Sequence, residues 1–413
     1  MDTTVLRASD PRDLIAHLPY RLGFHPERSV VLLALRGKGR TQTGGMIART
    51  DTIDLTEARG GRAFAASLVR HMQEDGADSL LAVFYADGTV PAARTNPTVR
   101  AALAALEEAT SLVRPFTTWL VTPGGYAHLE PCECCPSAGR PAAELESSAL
   151  AADLVLAGYT ALPSRAHLAL TRTRDAEARA EAERAAAAER ARGVAARARA
   201  GGAPMVRGAA FGVPGARPAR DQTPLRAWRE EGARLWDTAL TGRPSDRDAA
   251  PSDRPPGGRR GDRRPGHRKH HRGMSTGPAT PDPATLGRLL AFLEDKVVRD
   301  AVLTSVVDSN RRSSVALLDP EAADAVFDAA PEPEHRGALD GATTLVAAVA
   351  AHAAEGAAGP PLGLLAFLAW WGLDGTRAQV YAKQALAEEP GHILAEIVVD
   401  ALSHAISPPW YRR

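Results

Sequence analysis

The stretch Gly23-Phe24-His25-Pro26-Glu27-Arg28-Ser29-Val30-Val31-Leu32-Leu33-Ala34-Leu35 decides the fold class. Its first half stops a helix. Glycine and proline end a segment in which Leu14, Leu18 and Leu22 recur at i, i+4 and i+8. That segment opens at Asp10-Pro11, an acceptor side chain at the N-cap with proline in the first helical position. The second half is a near-continuous apolar run, which suits a strand covered on both faces. The same two signals repeat outward along the chain. Residues 44–50, 80–85, 116–121 and 126–129 read as four further strands. Between them fall the helical stripes Phe64/Leu68/Met72 and, after an Asn96-Pro97 cap, Val99/Leu103/Leu106. Helices alternating with buried strands predict a three-layer α/β domain over residues 1–162. The short link between the first two strands predicts a hairpin, and so a mixed sheet.

At 413 residues the chain exceeds the ~250–300 that one core organises, so further domains are expected. Residues 172–200 are almost entirely Ala, Arg and Glu, with opposite charges at helical spacing such as Asp175/Arg179 and Arg179/Glu183. High helix propensity with almost no apolar face predicts a long charged, solvated helical spacer within 163–242. Leu225, Trp228, Leu235, Trp236 and Leu240 mark one more amphipathic helix there. Residues 243–283 are rich in Arg, Pro, Gly, Asp and His, a composition that cannot build a core, and read as a disordered basic linker. Residues 284–413 read as an all-α domain of about six helices joined by short, antiparallel-type connections. Trp370 and Trp371 are adjacent on one of these helices. Successive side chains are rotated by about 100°, so one should pack inward and the other lie at a boundary, against the 408–411 tail or a partner.

A net charge of +1 gives no global pull toward nucleic acid or membrane. The N-terminus lacks a basic region followed by an apolar core, and the longest apolar stretches fall short of the ~20 residues of a membrane span. A soluble, cytoplasmic protein without a membrane partner is the expectation; the oligomeric state stays open.

All three cysteines lie in Leu129-Glu130-Pro131-Cys132-Glu133-Cys134-Cys135-Pro136. Four readings compete. A zinc site would use Cys132 and Cys135 at knuckle spacing with His128 as third ligand and Cys134 as an alternative, although a structural Zn²⁺ wants four N or S ligands. A redox pair would also use Cys132 and Cys135, yet the prolines on either side favour a loop over the helix N-terminus that activates such thiols. A vicinal Cys134–Cys135 disulfide would be strained. In the fourth reading the three pack beneath a loop as small hydrophobes. His25 and Glu27 form a conceivable acid/base pair, set against a turn that merely needs glycine and proline.

Between residues 254 and 272 stand Arg254, Arg259, Arg260, Arg263, Arg264, Arg268, Lys269 and Arg272 against one acid, Asp262. A flexible cationic tract can contact nucleic acid weakly and without sequence preference. Aromatics for base stacking are absent, and a solvated linker is the simpler reading.

Four segments stand in order along the chain: Asp13-Leu14-Ile15-Ala16-His17-Leu18-Pro19-Tyr20-Arg21-Leu22-Gly23-Phe24-His25-Pro26; Cys134-Cys135-Pro136 followed by Gly139; Leu162-Pro163-Ser164-Arg165; and Ala369-Trp370-Trp371-Gly372-Leu373-Asp374-Gly375 through Pro390-Gly391-His392. Together they resemble the actinobacterial family known as domain of unknown function 4192. The resemblance implies no activity, cofactor or catalytic residue. Within the helical domain, Gly375-x-x-Ala378-x-x-Tyr381-x-x-x-Ala385-Leu386-x-x-x-Pro390 is similar to the latter part of a tetratricopeptide repeat. One copy is visible where arrays need about three, so it reads as local helix-pair geometry, with a protein partner as a consequence.

No acid, base and nucleophile stand at a recognisable spacing. The expected function is therefore a non-enzymatic interaction or regulatory protein with a partner on its helical domain. One alternative is an enzyme at the strand ends, drawing on Cys132, Cys134, Cys135, His25 and His128 with metal or thiol chemistry. The other is a nucleic-acid accessory protein using the basic linker.

Overall fold

The computed structural model describes residues 10–37, 42–56, 60–111, 113, 115–201, 222–242, 280–329, 336–404 and 406–412. Helix α1 (Pro11–Leu22) starts as its sequence predicts: Asp10 caps it by accepting the Asp13 N–H, Pro11 follows, and Gly23 ends it at φ +79°. The sheet then runs through β1 (Ser29–Arg36), β2 (Thr43–Asp51), β3 (Ser79–Tyr85), β4 (Phe116–Thr122) and β5 (Gly125–His128). The helices between these strands are α2 (Gly61–Glu74), α3 (Val90–Arg94) and α4 (Pro97–Ala109). Strand order is β2-β1-β3-β4-β5. β1 pairs antiparallel with both β2 and β3, β3 pairs parallel with β4, and β5 closes antiparallel onto β4. The sheet is mixed, and its first two strands are neighbours joined by a short link, as expected.

β1 and β3 are buried nearly throughout because both faces of the sheet are covered. On one face Val30, Leu32, Leu80, Ala82 and Phe84 pack with Leu68 and Met72 of α2 and Leu103 and Leu106 of α4. On the other, Val31, Leu33, Leu81 and Val83 pack with Ile15 and Leu18 of α1. Each fully buried Leu, Ile or Phe contributes about 1.5–3 kcal/mol of transfer free energy, which is what holds the layers together. Two short helices follow, α5 (Ala143–Glu146) and α6 (Ala149–Leu156).

The chain divides into two compact units. The first comprises Met1–Ala169, Asp374–Val380 and Ile397–Ser407; the second comprises Leu170–Leu373, Tyr381–Glu396 and Pro408–Arg413. The second is helical: α7 (Ala176–Gly201), α8 (Thr223–Thr241), α9 (Pro283–Leu293), α10 (Lys296–Val307), α11 (Pro320–Ala329), α12 (Arg336–His352) and α13 (Gly359–Trp371). The last two helices, α14 (Gly375–Glu388) and α15 (Ile393–Ser403), contribute residues to both units.

α7 corrects the expectation of a solvated spacer. It packs along α8 and α9, and its buried positions are Ala182, Ala186, Glu189, Gly193, Ala196 and Ala200, a 4-3-4-3-4 seam. Small residues let the backbones close up. A Cβ on Gly287 of α9 would lie 1.9 Å from the Ala182 carbonyl oxygen, and one on Gly193 would lie 2.8 Å from the Trp228 ring. The one polar seam residue, Glu189, accepts the Trp228 indole N–H at 2.8 Å and is bound by Arg192 and Arg288. The expected linker 243–283 lies outside the described residues except for its last four, of which Asp282 caps α9. At the far end Trp371 is buried and Trp370 half-buried, and Trp410 of the tail donates to the Trp371 carbonyl at 3.2 Å. The 100° rotation between neighbours thus separates the two rings as anticipated. Among the described residues no helix is long and apolar enough to cross a membrane.

Candidate functional site

The cysteines sit in a loop that leaves the edge strand β5 and returns to it. Tyr126 and Arg140 exchange both backbone hydrogen bonds at 2.8 Å, closing residues 127–139 into an excursion. Two glycines make the closure possible. Gly125 has a φ of +149° and lies so close to the returning chain that a Cβ would meet the Arg140 carbonyl at 2.4 Å. Gly139 has a φ of +87° and would press a Cβ onto Val90. Buried Leu129 anchors the departure, its N–H donating to Thr118 at 3.1 Å. Two arginines staple the excursion. Arg94 donates to the carbonyls of His128 at 2.9 Å and Ser137 at 3.3 Å, holding both ends, and Arg140 donates to the Cys134 carbonyl at 3.2 Å.

The ligand atoms of His128, Cys132 and Cys134 lie within 4.8 Å of one another. A tetrahedral zinc, with Zn–S of about 2.3 Å and Zn–N of about 2.0–2.1 Å, spaces its ligand atoms by roughly 3.5–3.8 Å, so one ion would fit this set once the two sulfurs open by about 1 Å. The Cys132 and Cys134 sulfurs are 2.7 Å apart, and those of Cys134 and Cys135 3.8 Å. All three are free thiols. The hydrogen bond shared with Cys134 lowers the Cys132 thiol and raises that of Cys134 to about 11, so Cys132 is the one of the two that ionises first. His128 stacks on Trp119 with ring centroids 3.9 Å apart. Burial pushes its pKa below the ordinary histidine value and the Arg94 charge adds to this, outweighing a backbone hydrogen bond that works the other way. The imidazole is therefore neutral at pH 7, the state a metal requires of it. Cys135 is turned inward, packed against apolar residues of both sheet faces.

Of the two roles weighed for Cys134 and Cys135, the geometry thus groups Cys134 with Cys132 and His128, while Cys135 interacts with both of the other cysteines from a position packed against the sheet. Sequence reasoning missed the staples. Arg94 carries no local signal, whereas Gly139-Arg140 stands where a chain returning to β5 must turn.

His25 is not part of this group. Residues in one row across the sheet are Ser29, Tyr85, Val121 and Tyr126, while His128 lies two rows along with Trp119, Val83 and Val31. The turn bearing His25 and Glu27 precedes Ser29, beyond one end of the strands; Cys132 follows His128 off the other. The His25 N–H donates to the Leu162 carbonyl at 2.9 Å, which fixes the turn, and its ring is exposed. Beside the cysteine loop lies an open depression lined by Arg94, Thr95, Arg100, Leu129, Glu130 and Pro131. Its Arg100 and Glu130 pair with each other, and Arg94 is committed to the loop carbonyls. The basic residues Arg254, Arg259, Arg260, Arg263, Arg264, Arg268, Lys269 and Arg272 lie outside the described residues.

No curated protein and no solved structure is detectably similar to the chain. One family model does match, over residues 11–409, from the proline that opens α1 to the second proline of the C-terminal tail. That span takes in the sheet, the cysteine loop and all the helices, and the chain belongs to the family described as Domain of unknown function (DUF4192).

Proposed function

We propose that the chain is a non-enzymatic regulatory protein whose first unit holds one zinc-class ion on His128, Cys132 and Cys134. The observation that carries the reading is the convergence of three soft ligand atoms within 4.8 Å on an arginine-stapled loop. A neutral imidazole beside two thiols is the donor set that borderline-soft ions take over calcium or magnesium. The site supports a structural or sensing role: the charged residues of the adjoining depression are already partnered, and the His25 turn lies at the other end of the strands. The free thiols suit a reducing, cytoplasmic setting. The helical unit, with its half-buried Trp370 near the tail, is the side we assign to a protein partner.

Metal analysis of the purified chain, run with a titration of free thiols, tests the zinc reading. One zinc per chain is expected, falling to background in Cys132→Ser and strongly reduced in His128→Ala. A chain that is isolated without metal, takes up none on reconstitution and melts identically in both variants overturns it.

A further inference from the structure

We infer that the same loop is an oxidant-sensitive switch: peroxide joins Cys132 to Cys134 as a disulfide and thereby expels the ion. The inference rests on the zinc reading for its consequence, ion release, but not for the disulfide itself. Three features select this pair. The Cys132 and Cys134 sulfurs stand 2.7 Å apart, and a disulfide bond is about 2.05 Å, so closure asks for only about 0.7 Å of movement. Cys134 is exposed and Cys132 partly so, on a loop without regular secondary structure, so an oxidant reaches them and the backbone can follow. Cys135 is the spared thiol: although it also interacts with Cys132, its sulfur is 3.8 Å from that of Cys134 against 2.7 Å between Cys132 and Cys134, and it is packed inward against the two apolar layers.

The chemistry balances with one hydrogen peroxide. The Cys132 sulfur attacks one peroxide oxygen, the O–O bond breaks, and hydroxide leaves to become water, giving a sulfenic acid. The Cys134 sulfur then attacks the Cys132 sulfur and displaces that oxygen as a second water. The two sulfurs lose two electrons and the peroxide gains them. In the metal-free chain the thiols supply the two protons; with zinc bound the thiolates bring none, and solvent supplies both. Two of the three ligands are thereby removed, and one histidine does not hold the ion. Reduction by an external dithiol restores the site.

The experiment exposes the full chain, as isolated, to hydrogen peroxide, quenches with catalase, and reads three quantities. Free thiols should fall from three to one. A chromophoric chelator should register one zinc released per disulfide formed. After alkylation and cleavage following Glu133, the fragments bearing Cys132 and Cys134 should stay joined until reduced, with the alkyl group on Cys135. Cys135→Ser should behave like the parent chain, going from two thiols to none. Retention of all three thiols, or a disulfide that includes Cys135, overturns the switch and leaves the zinc reading standing. A chain without metal that still forms the Cys132–Cys134 link sinks the zinc reading and keeps the disulfide.

Discussion

Replacing Glu189 by alanine should destabilise the helical unit by about 2–4 kcal/mol. The carboxylate is 2% exposed and accepts the indole N–H of buried Trp228 at 2.8 Å. A buried donor left without an acceptor costs about 1–3 kcal/mol. Glu189 also takes Arg192 at 2.9 Å and Arg288 at 3.0 Å. Losing a buried partner strands charge at a cost of about 3–5 kcal/mol, but here that figure must be discounted. The side chains of Arg192 and Arg288 remain 51% and 35% exposed, and both keep Glu231, at 2.6 and 2.7 Å. Alanine's higher helix propensity returns only a few tenths of a kcal/mol. For a unit of this size each kcal/mol is worth about 2–4 °C, so the melting transition should fall by roughly 5–15 °C. Calorimetry with tryptophan fluorescence reads the change. Glu189→Gln, which keeps an acceptor for the indole, should fall between, and Glu183→Ala, exposed on the same helix, should change stability by less than about 0.5 kcal/mol. Equal behaviour of Glu189→Ala and Glu183→Ala would refute the packing of α7 and restore a solvated spacer.

Two glycine-to-alanine changes should have opposite signs. Gly287→Ala drives a Cβ to 1.9 Å from a backbone oxygen, which cannot yield as a side chain does, and should cost about 1–3 kcal/mol or more. Gly341→Ala in α12 meets nothing within 4 Å and should gain about 0.5–1 kcal/mol; thermal melts distinguish them. His392 is buried against Gly363, and its Nδ1 accepts the Ala395 N–H at 3.3 Å. Burial lowers its pKa below 6.5, so the unfolded chain takes the proton more readily than the folded one. The stability from this group is complete above pH 6.5 and is lost as pH falls from 6.5 through the lowered folded value. Denaturation at pH 7.5 and 5.5 should show the loss, and His392→Asn should shrink it. Trp371→Ala should cost about 3–5 kcal/mol as a large-to-small core change, and Trp370→Ala well under half of that; equal losses in denaturant titrations would place both rings in the core.

What the sequence determined by itself is what periodicity and end signals can carry. The apolar run after Gly23-Phe24-His25-Pro26 was enough for a doubly covered strand, because a strand under helices on both faces has no polar alternation to preserve. Asp10-Pro11 and Asn96-Pro97 placed helix starts through chemistry confined to one turn. The clustering of the three cysteines marked the candidate site for the same local reason. Tertiary structure decided the rest. The seam of α7 is written in alanine, glycine and one glutamate, against a background already alanine-rich on every side, so burial left no contrast to read. Its energy comes from close backbone approach to Gly287 and from bonds to Arg288, about a hundred residues away. The choice of Cys134 over Cys135 beside Cys132 and His128 likewise depends on which way a closed loop turns its side chains. Arg94 and Arg140 set that turn through carbonyls, and backbone oxygens are the same at every residue, so no side-chain pattern announces them.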